Sequence, residues 1–405
     1  MLPRTRPLLR YVFLVAFVVV IIHSLYLWKS DAIFRDGIFP FRGHAGPAID
    51  YYVKSSFDWG NSKPFFPVTS IVPLPSGTPN SLPRVQHEFK PESPLDRLRM
   101  DKQRSEVKRA FQKCWKSYRK YAWINDELTP LSGKGKDPFG GWRATLVDSL
   151  DTLWIMGLEK EFHEAVEAVA GIDFAKTEST SANVFETTIR YLGGLLSAYD
   201  LSNEEVLLLK ATEIGDLLYT GFDTPNHLPG FWLDFEKAKH GKLSADNSIP
   251  LASPCSLSLE FTRLSQLTGN NKYYDAINRI ALLMETAQNS TRIPGLWPVY
   301  LNFESIDLVH NNYFSLGGNS DSAYEYIPKM HHLLAGLDTK YAPMAQTALE
   351  AIKNNMLFRP MLPEQDDILF PGEIKVSSAR YQINADVQHL GCFTGGMFAI
   401  SMHFP

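Results

Sequence analysis

The chain has 405 residues, 44% of them hydrophobic and 21% charged, and a formal net charge of -4. Its length exceeds one average domain, and a single large catalytic domain with a tail accounts for it. The slightly negative charge, together with the lack of a basic run interleaved with aromatic residues, argues against nucleic acid as a partner.

The first predicted element is a membrane-spanning helix. An apolar run occupies residues 11–28, and three arginines precede it within residues 1–10. A hydrocarbon core of ~30 Å is crossed by about 20 helical residues, which this run and its flank supply. Because arginines before such a run favour a cytoplasmic N-terminus, everything after Lys29 is placed in a lumen. The run predicts a signal anchor; the alternative is a cleaved signal peptide, although no small-residue cleavage site follows the run.

Proline then dominates the segment at 29–94. Ten prolines recur between residues 40 and 94 without sustained apolar periodicity. Proline removes backbone donors and blocks helix interiors. We therefore expect an extended, poorly packed stem that holds the lumenal domain away from the bilayer.

Residues 95–405 have the pattern of amphipathic helices separated by short Gly, Pro and Asn punctuation. Leu257, Phe261 and Leu264 recur at helical spacing, and Gly269 follows them as a C-cap signal. No alternating strand pattern dominates, so the domain is predicted to be all-α. A succession of helix hairpins fits an open α-solenoid or a closed helical toroid, and the lack of a fixed-period repeat disfavours the solenoid.

Placement in a lumen gives meaning to two further features. Asn289-Ser290-Thr291 is a sequon for N-glycosylation, which only the lumenal side uses. Cys114, Cys255 and Cys392 form an odd set, so an oxidising compartment predicts one bridge and one leftover thiol. The three possible pairings stay open.

A Gly-rich stretch at Asp137–Gly157 joins an acid-containing turn directly to a helix that carries Asp148 and Asp151. Cleavage of a glycoside usually takes two carboxyl groups, one to protonate the leaving oxygen and one to activate water or attack the sugar. The stretch is therefore interpreted as a wall of a sugar-cleaving site. The alternative is an ordinary helix start, with Thr145 or Asp148 as the cap.

Glu186 is the first candidate acid in apolar surroundings. Phe185 and Ile189 flank it, and Arg190 follows one helical turn later. A carboxyl group placed there is partly desolvated and held by a cation, as a general acid requires. The alternative is a surface Glu-Arg pair worth only ~0.3–0.5 kcal/mol.

Asp321 and Glu325 form a second candidate pair. Two glycines precede Asp321 just before a predicted helix start, and Glu325 lies four residues later on the same helical face. Both carboxylates are thus able to face one cavity. Alternatively, Asp321 only caps the helix, worth ~1 kcal/mol, and Glu325 is solvated.

His389 precedes another glycine-containing stretch and is a candidate substrate contact, or else a structural histidine. The pair His331-His332 lacks the spacing of a zinc site. The sequence has no nucleophile elbow, phosphate-binding loop, H-E-x-x-H motif or dinucleotide fingerprint.

Several motifs in order resemble those of the class I α-1,2-mannosidases, glycoside hydrolase family 47. The matching stretches lie at 122–130, 141–158, 185–199, 257–269, 317–329 and 389–396. The resemblance implies an (αα)7 barrel in a single-pass type II membrane protein of the endoplasmic reticulum or Golgi. It also implies inverting hydrolysis of α-1,2-linked mannose from high-mannose N-glycans, with Ca²⁺ at the barrel base binding sugar hydroxyls.

The resemblance assigns roles to individual residues. Glu186 resembles the general acid of the family, and Asp321 resembles a second catalytic carboxylate. Cys392 resembles one half of a structural disulfide whose partner lies beyond residue 405. The substrate-holding wall is implied to consist of Arg190, Glu260, Glu325 and His389.

The sequence also departs from the family pattern. It stops at Pro405, so the helices expected to supply the catalytic base, the calcium ligands and the partner of Cys392 are missing, and we expect a C-terminally truncated, incomplete barrel. Ser253 stands where the family usually has Glu, Cys255 where it has Gly, and Asn319 where the endoplasmic-reticulum type has Arg. The alternatives to hydrolysis are a non-catalytic mannose-glycan-binding quality-control protein and an inactive fragment.

Overall fold

The computed structural model describes residues 51–364, 366–377 and 380–402. The predicted cytoplasmic tail, the predicted anchor and the first part of the predicted stem lie outside these residues. Within the described ranges, no helix has both the length and the apolar character needed to span a bilayer.

The described residues are mainly helical, as the all-α prediction expects. The helices are α1 (Pro94–Tyr121), α2 (Ala144–Asp148), α3 (Leu150–Ile155), α4 (Glu159–Ala170), α5 (Val184–Thr187), α6 (Gly193–Ser202), α7 (Glu205–Thr220), α8 (Phe235–Lys239), α9 (Ala252–Cys255), α10 (Ser258–Thr268), α11 (Asn271–Ala287), α12 (Asp321–Leu333), α13 (Tyr341–Asn355) and α14 (Phe393–Ser401).

Short antiparallel strand pairs, which the sequence did not predict, join some of the helices. The strands are β1 (Glu127–Thr129), β2 (Lys134–Lys136), β3 (Ser181–Asn183), β4 (Trp232–Asp234), β5 (Ile249–Pro250), β6 (Tyr300–Leu301), β7 (Tyr313–Phe314), β8 (Leu357–Phe358), β9 (Phe370–Pro371), β10 (Glu373–Ser377) and β11 (Arg380–Asn384). The pairs are β1-β2, β3-β4, β5-β6 and β8-β9, and β10 lies between β7 and β11.

The longer helices pack as successive hairpins in two rows. The hairpins are α3 with α4, α6 with α7, α10 with α11, and α12 with α13. The first row consists of α3, α6, α10, α12 and α14, which contact one another in that order. The second row consists of α4, α7, α11 and α13, in which α7 contacts both α4 and α11. Consecutive hairpins therefore bury their apolar stripes against each other.

The core lies between the two rows. Leu153, Leu195 and Leu264 from three first-row helices are fully buried, and each contributes roughly 1.5–3 kcal/mol relative to an exposed position. Gly194 at the start of α6 lets this helix approach α2 closely, because a Cβ atom there would lie 3.1 Å from the backbone oxygen of Val147.

Residues 51–80, here called the strap, run across the second row in mainly extended form, apart from a 3-10 turn at Trp59–Asn61. The strap begins beside α4, where the backbone N–H of Val53 donates to the carbonyl oxygen of Ala170 at 3.0 Å. Past α7, the N–H groups of Phe65 and Phe66 donate to the two carboxylate oxygens of Asp223, at 2.9 and 2.7 Å. The carboxylate of Asp223, just after α7, thus accepts two backbone hydrogen bonds from the strap.

The second half of the strap continues to α11 and α12. The N–H of Val72 donates to Oδ1 of Asp275 at 2.9 Å, and the N–H of Asn80 donates to the carbonyl oxygen of Ala335 at 3.0 Å. The extended conformation predicted for the stem is present, but the expectation of poor packing is wrong for this part. Proline leaves fewer backbone donors, and several of the remaining donors find acceptors on or just after successive helices.

A buried lysine ties the strap to α7. Lys210 is fully buried. Its Nζ donates to the carbonyl oxygens of Val53 and Ile172 and, at 3.0 Å, to Oε2 of Glu213. Glu213 also accepts from the hydroxyl of Ser55 at 2.7 Å. The charge of the lysine is thus paired and fully hydrogen-bonded, as burial of a charge requires.

Candidate functional site

Glu186 and Arg190 lie at an irregular junction between α5 and α6. Asn183 caps α5, since its Oδ1 accepts the N–H of Glu186 at 2.9 Å. A π-helical turn at Thr188–Leu192 then joins α5 to α6; such turns occur frequently at functional sites. Nε of Arg190 donates to Oε2 of Glu186 at 2.9 Å. Each of the two side chains is about one third exposed (32% and 33%), so the pair is not a fully solvated surface pair.

Arg190 also reaches the Gly-rich stretch. Its Nη1 lies 3.4 Å from Oδ2 of Asp148, and its guanidinium lies over the ring of Phe139, 4.5 Å from the ring centre. One guanidinium therefore faces two carboxylates and an aromatic ring. This contact joins residues 42 positions apart in the sequence.

Partial loss of solvent around Asp148 raises the pKa of its carboxyl from 3.8 to about 6, while the positive charge of Arg190 opposes the rise. Asp151 lies elsewhere, where its Oδ2 accepts the hydroxyl of Ser197 at 2.9 Å. The helix-cap alternative is wrong for Asp148 and for Thr145. The N-cap residues of α2 and α3 are Arg143 and Ser149, and neither makes a side-chain cap bond. Asp148 and Asp151 were both predicted to line the site, and of these two Asp148 is the one that bonds to Arg190.

A buried carboxylate shapes the Gly-rich turn. Asp126 is fully buried, and its oxygens accept the N–H groups of Phe139 and Gly141 at 2.7 and 2.9 Å and the hydroxyl of Tyr191 at 3.0 Å. Tyr191 follows Arg190 in the π-helical turn. Its bond to Asp126 therefore ties the Gly-rich turn to the π-helical turn beside Glu186. Sequence reasoning missed Asp126. The Trp-Ile-Asn motif that precedes this residue gives no indication that its carboxylate is buried in a hydrogen-bond network.

Glu260 lies on α10 at the junction with α6 and α12. Its Oε1 accepts the hydroxyl of Tyr326 at 2.9 Å, and a Cβ on Gly193 would lie 3.6 Å from the same oxygen. Its Oε2 is buried and has no hydrogen-bond partner among the described residues. Burial raises the pKa of this carboxyl from 4.5 to about 7. A buried oxygen without a donor can take a ligand hydroxyl at little additional desolvation cost.

Asp321 is the first residue of α12. The N-cap is Ser320, without a side-chain cap bond, so the alternative that Asp321 caps the helix from the N-cap position is wrong. Oδ1 of Asp321 accepts the N–H of Ser322 at 2.8 Å. Glu325 is half-buried and accepts from Nζ of Lys329 at 2.5 Å, so it is not simply solvated.

His389 begins a 3-10 turn just before α14 and is exposed. The preceding residue, Gln388, connects this turn to the glycines before Asp321, since its Oε1 accepts the N–H of Gly318 at 2.8 Å. A Cβ on Gly317 would lie 2.4 Å from the Gln388 side chain. The glycine therefore permits the close approach that places the His389 turn beside the start of α12.

The cysteines do not form the expected bridge. Cys114 and Cys392 are exposed, Cys255 is partly buried, and all three are free thiols. Among residues 51–364, 366–377 and 380–402, no three imidazole, thiol or carboxyl groups converge as metal ligands.

The candidate residues thus belong to the first row and the turns that precede its helices. Arg190 is in direct contact with both Glu186 and Asp148. Glu260 is hydrogen-bonded to Tyr326 on α12. Their arrangement provides two acids with raised pKa values, Asp148 and Glu260, together with a shared cation and an unpartnered carboxylate oxygen. The catalytic and binding roles of the individual residues stay predictions.

Comparison with known proteins gives consistent matches. The sequence model of glycosyl hydrolase family 47 matches residues 110–404. The chain is 36% identical over 297 residues to the rat endoplasmic reticulum mannosyl-oligosaccharide 1,2-alpha-mannosidase, covering 73% of this chain and 43% of that protein. It is 36% identical over 302 residues to human mannosyl-oligosaccharide 1,2-alpha-mannosidase IC, covering 74% and 46%.

A solved structure also matches. An alpha-1,2-mannosidase from Trichoderma reesei has a TM-score of 0.68 and 29% identity, over 74% of this chain and 63% of that structure. The chain spans less than half the length of the curated relatives described above.

Proposed function

This chain belongs to glycosyl hydrolase family 47, and from that membership we propose that it hydrolyses terminal α-1,2-linked mannose of high-mannose N-glycans, with inversion at the anomeric carbon. The observation that supports the proposal most directly is the Arg190 guanidinium shared between Glu186 and Asp148. Glycoside hydrolysis needs a proton donor beside the scissile bond, and the contact with Arg190 at the π-helical turn holds the half-buried Glu186 carboxyl in a fixed position for that task.

We assign Glu186 as the general acid, which protonates the glycosidic oxygen as the bond to mannose breaks. Asp148 shares the cation of Glu186, so the two carboxyl groups are electrostatically coupled. Asp321 is proposed as a second catalytic carboxylate at the start of α12. No described residue is assigned as the base that activates water.

The wall that holds the sugar is proposed to consist of Arg190, Glu260, Glu325 and His389. Glu260 supports this assignment most clearly, because its buried Oε2 lacks a donor and a mannose hydroxyl supplies one. Membership of the family also implies Ca²⁺, although among the described residues no three imidazole, thiol or carboxyl groups converge as ligands.

The architecture is proposed to be part of an (αα)7 barrel. Its support is the alternation of first-row and second-row helices in successive hairpins, which a barrel of helix pairs requires. We propose residues 1–10 as a cytoplasmic tail, 11–28 as the anchor, 29–94 as a stem that includes the strap, and 95–405 as the barrel domain. The lumen is that of the endoplasmic reticulum or Golgi, where Cys392 is available for the disulfide implied by the family.

One observation favours a second candidate function, mannose-glycan binding without hydrolysis. Ser253, which stands where the family pattern usually has a glutamate, is buried on α9. A serine in place of that acid leaves the site with one carboxyl group fewer for hydrolysis.

The test is release of free mannose from a high-mannose N-glycan by the full chain, with the anomer of the product followed by NMR. Replacement Glu186→Gln should abolish release while leaving glycan binding intact, whereas Glu167→Gln, an exposed glutamate on α4, should leave both unchanged. Retained release in Glu186→Gln would remove Glu186 as the acid. Binding without release in the unaltered chain would favour the second candidate.

A further inference from the structure

The sequon Asn289-Ser290-Thr291 lies at the end of α11, in a 3-10 turn at Gln288–Ser290. It is the only Asn-X-Ser/Thr triplet in the sequence. Asn289 and Ser290 are exposed. Because α11 belongs to the second row, a glycan here is attached to a different row from the candidate catalytic residues.

The third residue of the sequon is already engaged in the folded protein. Thr291 is buried, and its hydroxyl lies 2.7 Å from the carbonyl oxygen of Ile293 and 2.6 Å from that of Leu296. Glycosylating enzymes select the sequon by the hydroxyl of this third residue. In the folded turn, that hydroxyl is turned inward and shared between two acceptors.

The turn is also attached to a neighbouring helix. The buried amide of Gln288 donates to the carbonyl oxygens of Gly295 and, on α13, Met344, at 3.2 and 2.9 Å. Opening the turn to release Thr291 therefore breaks the hydrogen bonds that Thr291 and Gln288 make in the folded protein.

We propose that Asn289 carries an N-linked glycan, and that the glycan is attached before the turn at residues 288–297 folds. This inference depends on the lumenal placement in the proposed function. In the reaction, Nδ2 of Asn289 attacks the anomeric carbon of an oligosaccharide carried on a polyprenyl diphosphate. The new N–C bond forms as the C–O bond to diphosphate breaks, the lipid diphosphate leaves with the electron pair, and the amide loses one proton.

The first experiment expresses the full chain in a eukaryotic secretory host and treats it with a peptide N-glycosidase in heavy-oxygen water. Mass spectrometry should find a labelled aspartate at position 289. The label should be lost in Asn289→Gln, which keeps the Thr291 bonds, and retained in Thr291→Ser, which keeps the hydroxyl. An unlabelled position 289 in the unaltered chain would overturn the proposal.

A reporter separates this outcome from failure of the lumenal placement. Asp386→Thr creates a second sequon at the exposed Asn384. If Asn384 is glycosylated and Asn289 is bare, the present inference is wrong and the lumenal placement stands. If both are bare, the lumenal placement fails, and the inference fails with it.

The order of events is tested on protein made in the same host without lipid-linked donor. The purified, folded chain and a synthetic peptide of residues 285–296 are each given transferase and donor. The peptide should be modified and the folded chain should not. Equal rates for the two substrates would refute attachment before folding.

Discussion

Replacing the buried Lys210 by methionine should loosen the strap. The ammonium group donates to three oxygens, of Val53, Ile172 and Glu213, and is fully buried. Removing one partner of a buried ion pair typically costs about 3–5 kcal/mol, because the remaining charge is left uncompensated. Glu213 keeps the hydroxyl and N–H of Ser55 as donors, so a loss near the lower end, about 3 kcal/mol, is expected.

Two measurements check this value. Urea unfolding of Lys210→Met should show a lower midpoint, and trypsin should cleave the strap after Lys54 faster than in the unaltered chain. The matched control is Lys176→Met. The Lys176 side chain is 78% exposed, and its ammonium pairs with Asp173 at 3.2 Å, so this variant should cost less than about 1 kcal/mol.

The double variant Lys210→Met with Glu213→Gln tests the stated cause. If the cost comes from an uncompensated carboxylate, removing that charge should make the double variant more stable than the sum of the two single losses predicts. A loss in Lys210→Met no larger than in Lys176→Met, with the strap still protected, would refute the reasoning.

Three further outcomes are expected. In a form of the protein that is active, Glu186→Gln should lower mannose release by ~10²-fold or more while leaving the dissociation constant for glycan nearly unchanged; a parallel loss of binding would contradict a proton-donor role. The folded pKa of Glu260, about 7, lies above its ordinary 4.5, so the unaltered protein should lose stability as pH rises from 4.5 to 7. The variant Glu260→Gln lacks this titration, and its stability relative to the unaltered protein should therefore rise by up to about 3 kcal/mol between pH 4 and pH 8. Parallel stability-versus-pH curves for the two proteins would disprove the shift. Gly295→Ala, at φ +99° with a Cβ 2.7 Å from that of Ala351, should cost about 3 kcal/mol, against about 1 kcal/mol for Gly269→Ala, which has open space around it; equal melting temperatures would show that the turn yields.

The helices were predictable because their signal is local. Leu257, at the N-cap of α10, and Phe261 and Leu264 within it are fully buried, and Gly269 ends the helix at φ +69°, as their spacing predicts. On α1, Val107 recurs at helical spacing with Phe111 and Trp115, yet its side chain is 59% exposed. Periodicity identifies an apolar face, and it does not specify which element covers that face.

The candidate site was predictable only where its contacts are short in sequence. Glu186 and Arg190 are one helical turn apart, so their contact follows from the spacing alone. The contact of Arg190 with Asp148 and that of Glu260 with Tyr326 join separate hairpins, and they depend on how the rows pack. The strap was misjudged for the same reason, because its acceptors lie on helices that are distant in sequence.

The strap has a consequence for the order in which the protein is made. Its residues leave the ribosome early, yet Tyr52 bonds to Glu213, 161 residues later, and Asn80 bonds to Gly336, 256 residues later. At about 5–20 residues per second, synthesis of those 256 residues takes roughly 13–50 s. During that interval the helical hairpins can fold on their neighbours, whereas the strap waits unpaired for each of its acceptors to be made. The strap therefore cannot complete its contacts until the last of the helices that supply its acceptors has been made.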